Sequence, residues 1–256
     1  MRRRIPLLAL AAAALLAAGC ATVPRDPVAR AEYRANNDPF EPLNRKTFAF
    51  NDLLDRLLIK PLALGYRHVL PAGGRDAVRH FLDNLNEPLV FVNTVLQGRI
   101  DNARITGCRF VVNTTLGIGG LADVASKHDL PKQVGDFGQT LWTWRVPAGP
   151  YLIVPVFGPT NPRDGIGTGV DLYLDPFRYV ARAQAYGSPV TLGRIIIDGV
   201  DKRSRNIESL DEMQKEAIDY YASFRSLFKQ NREAELKGSA NPGRTPLPDI
   251  YDDPGR

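Results

Sequence analysis

Apolar residues recur at helical spacing along most of this chain, and prolines and glycines cut the pattern into separate pieces. That combination restricts the fold to an assembly of amphipathic helices. Residues 38–43 carry Pro39 and Pro42 and are not expected to be regular helix. A helix is predicted from about Asn44. Its Phe50, Leu53, Leu54, Leu57 and Leu58 share one stripe, Phe48 widens that stripe, and Pro61 is expected to end it. A second helix is predicted over 75–97, on the spacing of Val78, Phe81, Leu82, Leu85, Leu89, Val92 and Leu96, with Pro88 kinking or dividing it. A third, 102–116, places Ile105, Cys108, Val112 and Leu116 on one side and is stopped by Gly117-Ile118-Gly119-Gly120. Two more cover about 189–208 and 210–236. Ser209 and Glu212 fit a capping box at the start of the last.

Between residues 117 and 170 glycine and proline are frequent, and this middle segment is expected to be irregular. Tyr151–Val154 reads as a short strand or as packed extended chain, and Pro155 argues against a central strand. Residues 237–256 are polar and Gly/Pro-rich, and are expected to be a disordered tail.

The N-terminus reads as an address and an anchor. Arg2, Arg3 and Arg4 precede the short apolar run Ile5–Ala18, and Leu16-Ala17-Ala18-Gly19 leads into Cys20, like a bacterial lipobox. Residues 1–19 are therefore expected to be a signal peptide, Cys20 a lipidated N-terminus and 20–37 a tether. Ala17 departs from the usual Leu, and Ala21 in place of Asp favours sorting to the outer membrane. Without the three signal arginines, the 33 basic residues become 30 against 28 acidic, so the basic balance is no argument for nucleic acid. Once Cys20 is acylated, Cys108 is the one remaining thiol, and it is expected to be a small buried apolar residue. No segment after Cys20 approaches the ~20 apolar residues of a membrane-spanning helix, though amphipathic helices can lie in one leaflet.

Enzyme motifs are missing. Asp136-Phe137-Gly138 has no accompanying phosphate loop or catalytic loop. Gly165, Gly167 and Gly169 do not complete a dinucleotide fingerprint, because Val170 takes the last glycine's place. His68, His80 and His128 lack metal-ligand spacing. No catalytic or metal-binding residue is assigned.

Four stretches resemble the MlaA (VacJ) family of outer-membrane lipoproteins. They are Asp38-Pro39-Phe40-Glu41-Pro42-Leu43-Asn44-Arg45 continuing to Phe50-Asn51; Asn113 through Ser126; Asp136 through Leu141; and Gly149 through Pro155 with Gly158-Pro159 and Arg163-Asp164-Gly165. The pattern runs from about residue 38 to 230. It departs where the family usually has glycine and this chain has Trp142 and Arg145. The resemblance implies a single mainly α domain over 38–236, ring-like and embedded in the inner leaflet of the outer membrane. It implies association with a trimeric porin and transfer of misplaced phospholipid to a soluble periplasmic carrier, with covalent lipid on Cys20 and no other cofactor. The rival readings are a porin scaffold that moves no lipid and, further off, a phospholipase.

Such a role needs a cationic headgroup contact, and Arg194 is the candidate. It stands among Val190, Leu192, Ile195, Ile196 and Ile197, where a cation either snorkels to the surface or faces a polar cavity. Arg163 and Asp164 are expected to pair at a turn. Gly117, Gly119 and Gly120 are either a gating hinge or a tight turn. Trp142 and Trp144 are either interface aromatics or core.

Overall fold

A computed structural model describes residues 23–183 and 187–240 of the chain. The fold is mainly α, and it divides into two compact units. One comprises the chain up to Leu54 with Ala148–Pro162, the other Asp55–Pro147 with the residues from Arg163 onward.

The first unit holds helices α1 (Pro27–Asn36) and α2 (Glu41–Leu54) and a two-stranded antiparallel hairpin, β1 (Leu152–Val154) with β2 (Gly158–Thr160). The expected tether is thus helical over α1. Helix α2 starts at Glu41 rather than near Asn44, because Pro42 falls in its first turn, where a missing N–H breaks no intrahelical bond. Three asparagines seven residues apart bind the hairpin. The Asn37 side chain donates to the Gly149 carbonyl at 2.7 Å. Asn44, 1 % exposed, donates to Asp38 and to the Tyr151 carbonyl and accepts from the Ile153 amide. Asn51 donates to the Val154 carbonyl and accepts from the Val156 amide. Seven residues are two helical turns, so Asn44 and Asn51 share one face of α2 and satisfy backbone groups that a two-stranded sheet leaves unpaired. Asn51 also helps hold Val156 at a φ of 72°, a conformation β-branched residues avoid.

The second unit opens with a π-helical turn, Asp55–Ile59, and α3 (Lys60–Val69). Pro61 does not end a helix here. It lies in the first turn of α3, and the wider turn before it takes up the bond that proline cannot make. Helices α4 (Ala72–Leu96) and α5 (Ile100–Thr115) form an αα-hairpin across Gln97-Gly98-Arg99. Helix α4 runs undivided through Pro88. Chain directions oppose, since Asn84 meets Thr114 and Glu87 meets Arg109. The unit continues with α6 (Phe137–Thr143), α7 (from Pro162, the last residue of the first unit, to Leu174), α8 (Pro176–Ala183), α9 (Gly187–Arg205), α10 (Ile207–Glu216) and α11 (Tyr220–Ala240).

The expected 210–236 helix is two helices. Ser209 and Glu212 lie inside α10, whose N-cap is Asn206, so they form no capping box. Asp219 accepts the Ala222 amide at the start of α11 instead. The first residues of the expected disordered tail, 237–240, complete α11, and the rest of that tail lies outside the described residues.

The α5 interface reverses the predicted burial. Its buried stripe is Asn102, Thr106, Arg109 and Asn113, spaced by four, three and four residues. On the apolar stripe Leu116 is 67 % exposed, and Cys108, expected to be buried, is exposed. The periodicity was real, but a helical stripe of apolar residues does not say which solvent it faces.

Candidate functional site

The inversion in α5 extends through both units. The most deeply buried large side chains are polar: Arg109, Gln139, Asn44, Asn93, Thr94, Thr106 and Thr140. Leu82, Leu89, Val90, Ile153, Ile207 and Leu236 are buried beside them, but many large apolar side chains point outward. In the first unit these include Phe50, Leu53 and, at the hairpin tip, Phe157 at 76 % exposure. In the second they include Leu57, Leu58 and Leu62 on the π turn and α3, and Leu192, Ile195, Ile196 and Ile197 on α9. Of the stripe predicted on residues 50–58, Phe50 and Leu53 are exposed in the first unit and Leu57 and Leu58 in the second, with the π turn interrupting the α-helical spacing between them. No helix of the described residues is long and apolar enough to cross a membrane.

Two arginines organise the polar interior of the second unit. Arg109, 2 % exposed, donates from Nε to Glu87 at 2.8 Å and from Nη2 to Asp123 at 3.1 Å, and it reaches Ser126 Oγ and the Leu130 carbonyl through Nη1. Asn113 ties the same loop down, donating to Asp123 and accepting from the Ala125 amide. Burial works against ionisation of Asp123, but the Ser126 hydrogen bonds and the Arg109 charge outweigh it and hold the carboxyl at about 2. Burial outweighs Arg109 at Glu87 and pushes that carboxyl up.

The second arginine, Arg232 on α11, grips three carboxylates. It makes two bonds to Asp136 at 2.8 and 2.9 Å, two to Asp164 at 3.0 Å and one to Glu235 at 2.7 Å. Arg163 also donates to Asp164 at 2.9 Å, so the expected pairing is present inside a larger cluster, but in the first turn of helix α7 rather than at a loop turn. Asp136 caps α6 through the Gln139 amide. Gly138 leaves the cluster room: a Cβ there would lie 2.6 Å from Asp164 and 2.7 Å from Arg232. The Asp136-Phe137-Gly138 tripeptide is thus a helix start and a close approach. Sequence reasoning missed Arg232, which stands in a polar stretch with nothing local to mark it. It missed Asn37, Asn44 and Asn51 as a set, although their seven-residue spacing was legible.

The residues singled out beforehand are not gathered in one place. Cys20 and the signal peptide lie outside the described residues. Arg194 is committed within the fold: its Nη1 is 2.7 Å from Asp175 and its guanidinium lies 5.4 Å from the Phe177 ring centre. Gly117, Gly119 and Gly120 form a bonded turn in which the Ala122 amide donates to Gly117 and the Gly120 amide to Asn113. Gly120 has a φ of 95° and packs on Asn84, where a Cβ would come within 2.5 Å. Trp144 closes α6, half exposed and edge-on to Phe137 at 5.8 Å, and Trp142 is partly buried. Arg145, where the family usually has glycine, adopts a φ of 66°. Among the described residues, no group of His, Cys, Asp or Glu is placed to hold a metal ion.

Comparison with known proteins agrees with this picture. A family model described as MlaA lipoprotein matches residues 36–235. The intermembrane phospholipid transport system lipoprotein MlaA of Escherichia coli is 30 % identical over 259 residues, covering 98 % of each chain. Its counterpart in Haemophilus influenzae is 32 % identical, covering 83 % of this chain and 85 % of that one. An uncharacterised protein of Rickettsia felis is 37 % identical over 80 % of each. A solved structure reported as the structural basis for maintenance of bacterial outer membrane lipid asymmetry matches with a TM-score of 0.69 at 30 % identity, covering 78 % of this chain and 98 % of that one. With its family motifs forming the asparagine-bound hairpin, the Arg109 loop and the Arg232 cluster, this chain belongs to the MlaA lipoprotein family.

Proposed function

We propose that this protein is the outer-membrane lipoprotein of a retrograde phospholipid transport pathway. Anchored through lipid on Cys20, it sits in the inner leaflet beside a trimeric porin, takes up phospholipid misplaced in the outer leaflet and yields it to a soluble periplasmic carrier. Passage is passive, and no bond in the lipid is broken. The observation that carries this reading is the reversed polarity: the largest fully buried side chains are polar while Phe50, Leu53, Leu57, Leu58 and Ile195–Ile197 face outward. Exposed apolar faces on this scale suit a hydrocarbon surrounding. The names of the E. coli and H. influenzae relatives support the cargo. In this reading, Trp144 lies at headgroup level and the Gly117–Gly120 turn flexes as a gate. Arg194 meets a headgroup by exchanging Asp175 for phosphate.

Outer-leaflet phospholipid measured in cells with and without the protein tests the proposal, with Arg194→Glu alongside. Accumulation on deletion, reversed by the intact protein, is the expected result. Restoration by Arg194→Glu as well would keep transport and remove Arg194 from it. No accumulation would sink transport and leave a porin scaffold as the better reading.

A further inference from the structure

Helices α4 and α9 enclose a charged cleft with Lys132 at its edge. On α9 it is lined by Asp198, Asp201, Lys202 and Arg205, at spacings of three, four and seven residues that put them on one helical face. Arg205 fixes the floor. It holds Asp201 through two bonds at 2.9 and 3.1 Å and reaches across to Asp76 and to the Arg75 carbonyl on α4. The rim is different. Lys132 pairs with Asp83 at 2.9 Å and Lys202 with Asp198 at 3.0 Å, and all four side chains are between 30 and 46 % exposed.

We propose that this cleft binds a zwitterionic phosphodiester headgroup, one carrying a phosphate beside an ammonium, while the lipid's tails follow the exposed isoleucines of α9. The proposal rests on the transport reading above and adds a site and a headgroup class to it. Exposed ion pairs such as Lys132–Asp83 contribute little to stability and exchange partners readily. A phosphate can take the lysines while an ammonium takes the released aspartates, and every charge remains paired. A purely anionic headgroup would leave Asp198 without its lysine and Asp83 with only Arg79, 4.0 Å away, an arrangement that electrostatic complementarity disfavours. The apolar path adjoins the cleft, because Ile195 lies one turn before Asp198 on the same face of α9 and is 46 % exposed.

The test uses the full lipidated protein, reconstituted in vesicles of equal phosphatidylethanolamine and phosphatidylglycerol, extracted in mild detergent, with retained lipid counted by mass spectrometry. The intact protein is expected to retain phosphatidylethanolamine about fivefold over phosphatidylglycerol, roughly the ratio that 1 kcal/mol of discrimination gives. K132E/K202E is expected to lose that preference, and K215E, on exposed α10 surface, to keep it. Both substituted lysines are exposed, so unchanged melting of the variant verifies its fold. Equal retention of the two lipids, or an unchanged preference in K132E/K202E, overturns the proposal. So does displacement of the lipid by equimolar glycerophosphoethanolamine, which would make the ligand a soluble phosphodiester. Lipid accumulation on deletion together with an unchanged K132E/K202E preference would discard the cleft while keeping transport. No accumulation on deletion would remove transport, and the retention ratio would still judge the cleft.

Discussion

Removing the guanidinium of Arg232 tests whether a buried polar frame, rather than an apolar core, holds the second unit together. Five hydrogen bonds leave that group, four of them to Asp136 and Asp164 at 2.8–3.0 Å. Arg232→Met keeps the stem and deletes the charge. Breaking a buried pair by removing one partner costs about 3–5 kcal/mol when the other charge stays uncompensated. Here part of the loss is recovered: Asp164 keeps Arg163 at 2.9 Å, and Asp136, 34 % exposed, keeps the Gln139 amide and can turn to water. The expected cost is therefore about 2–3 kcal/mol, which at roughly 2–4 °C per kcal/mol lowers Tm by about 4–12 °C. Arg232→Lys keeps a charge but cannot bridge two carboxylates with paired bonds, and it should lose about half as much. Thermal unfolding followed by circular dichroism in mild detergent at pH 7 reads both. Combining Arg232→Met with Asp164→Asn should cost less than the sum of the two, by about 0.5 kcal/mol or more. Melting of Arg232→Met within about 1 °C of the intact protein, or strict additivity with Asp164→Asn, would refute the reasoning.

Asp171 sets a pH dependence of opposite sign to the usual carboxylate. Burial pushes its carboxyl to about 6 from 3.8, against hydrogen bonds from the Phe137 amide and Asn93 and with the Asp136 charge adding to the rise. The folded state therefore holds a proton that the unfolded state has lost between these values. The contribution is full below about 3.8 and disappears as pH rises through about 6, worth up to about 3 kcal/mol. Melting curves should show this slope in the intact protein and a flatter one in Asp171→Asn; identical profiles would discard it. Arg145→Gly should stabilise. Arg145 occupies the left-handed position of a Schellman turn, with its amide bonded to Trp142 and the Val146 amide bonded to Leu141. Relief of about 1–2 kcal/mol of left-handed strain exceeds the roughly 0.5–1 kcal/mol that glycine adds to unfolded-chain entropy. A Tm no higher than that of the intact protein would count against strain at this position.

The sequence by itself determined the helical class, the approximate extents of α4, α5 and α9, and the family, because apolar period, proline and glycine act locally and survive in one dimension. It misplaced the ends at Glu41 and Pro61, since proline is forbidden inside a helix but welcome in a first turn, and only the register of the turn distinguishes the two. It could not tell inside from outside. The stripe of Ile105, Cys108, Val112 and Leu116 and the stripe of Asn102, Thr106, Arg109 and Asn113 have the same helical period, and hydropathy in water favours burying the first. Tertiary structure buried the second, because Glu87, Asp123 and Ser126 arrive from 22, 14 and 17 residues away to satisfy Arg109. The Arg232 cluster is more distant still, with Asp136 96 residues away and Asp164 68. A buried charge is tolerable only once its partners are in place, and those partners are brought together by the fold and not by the sequence around any one of them.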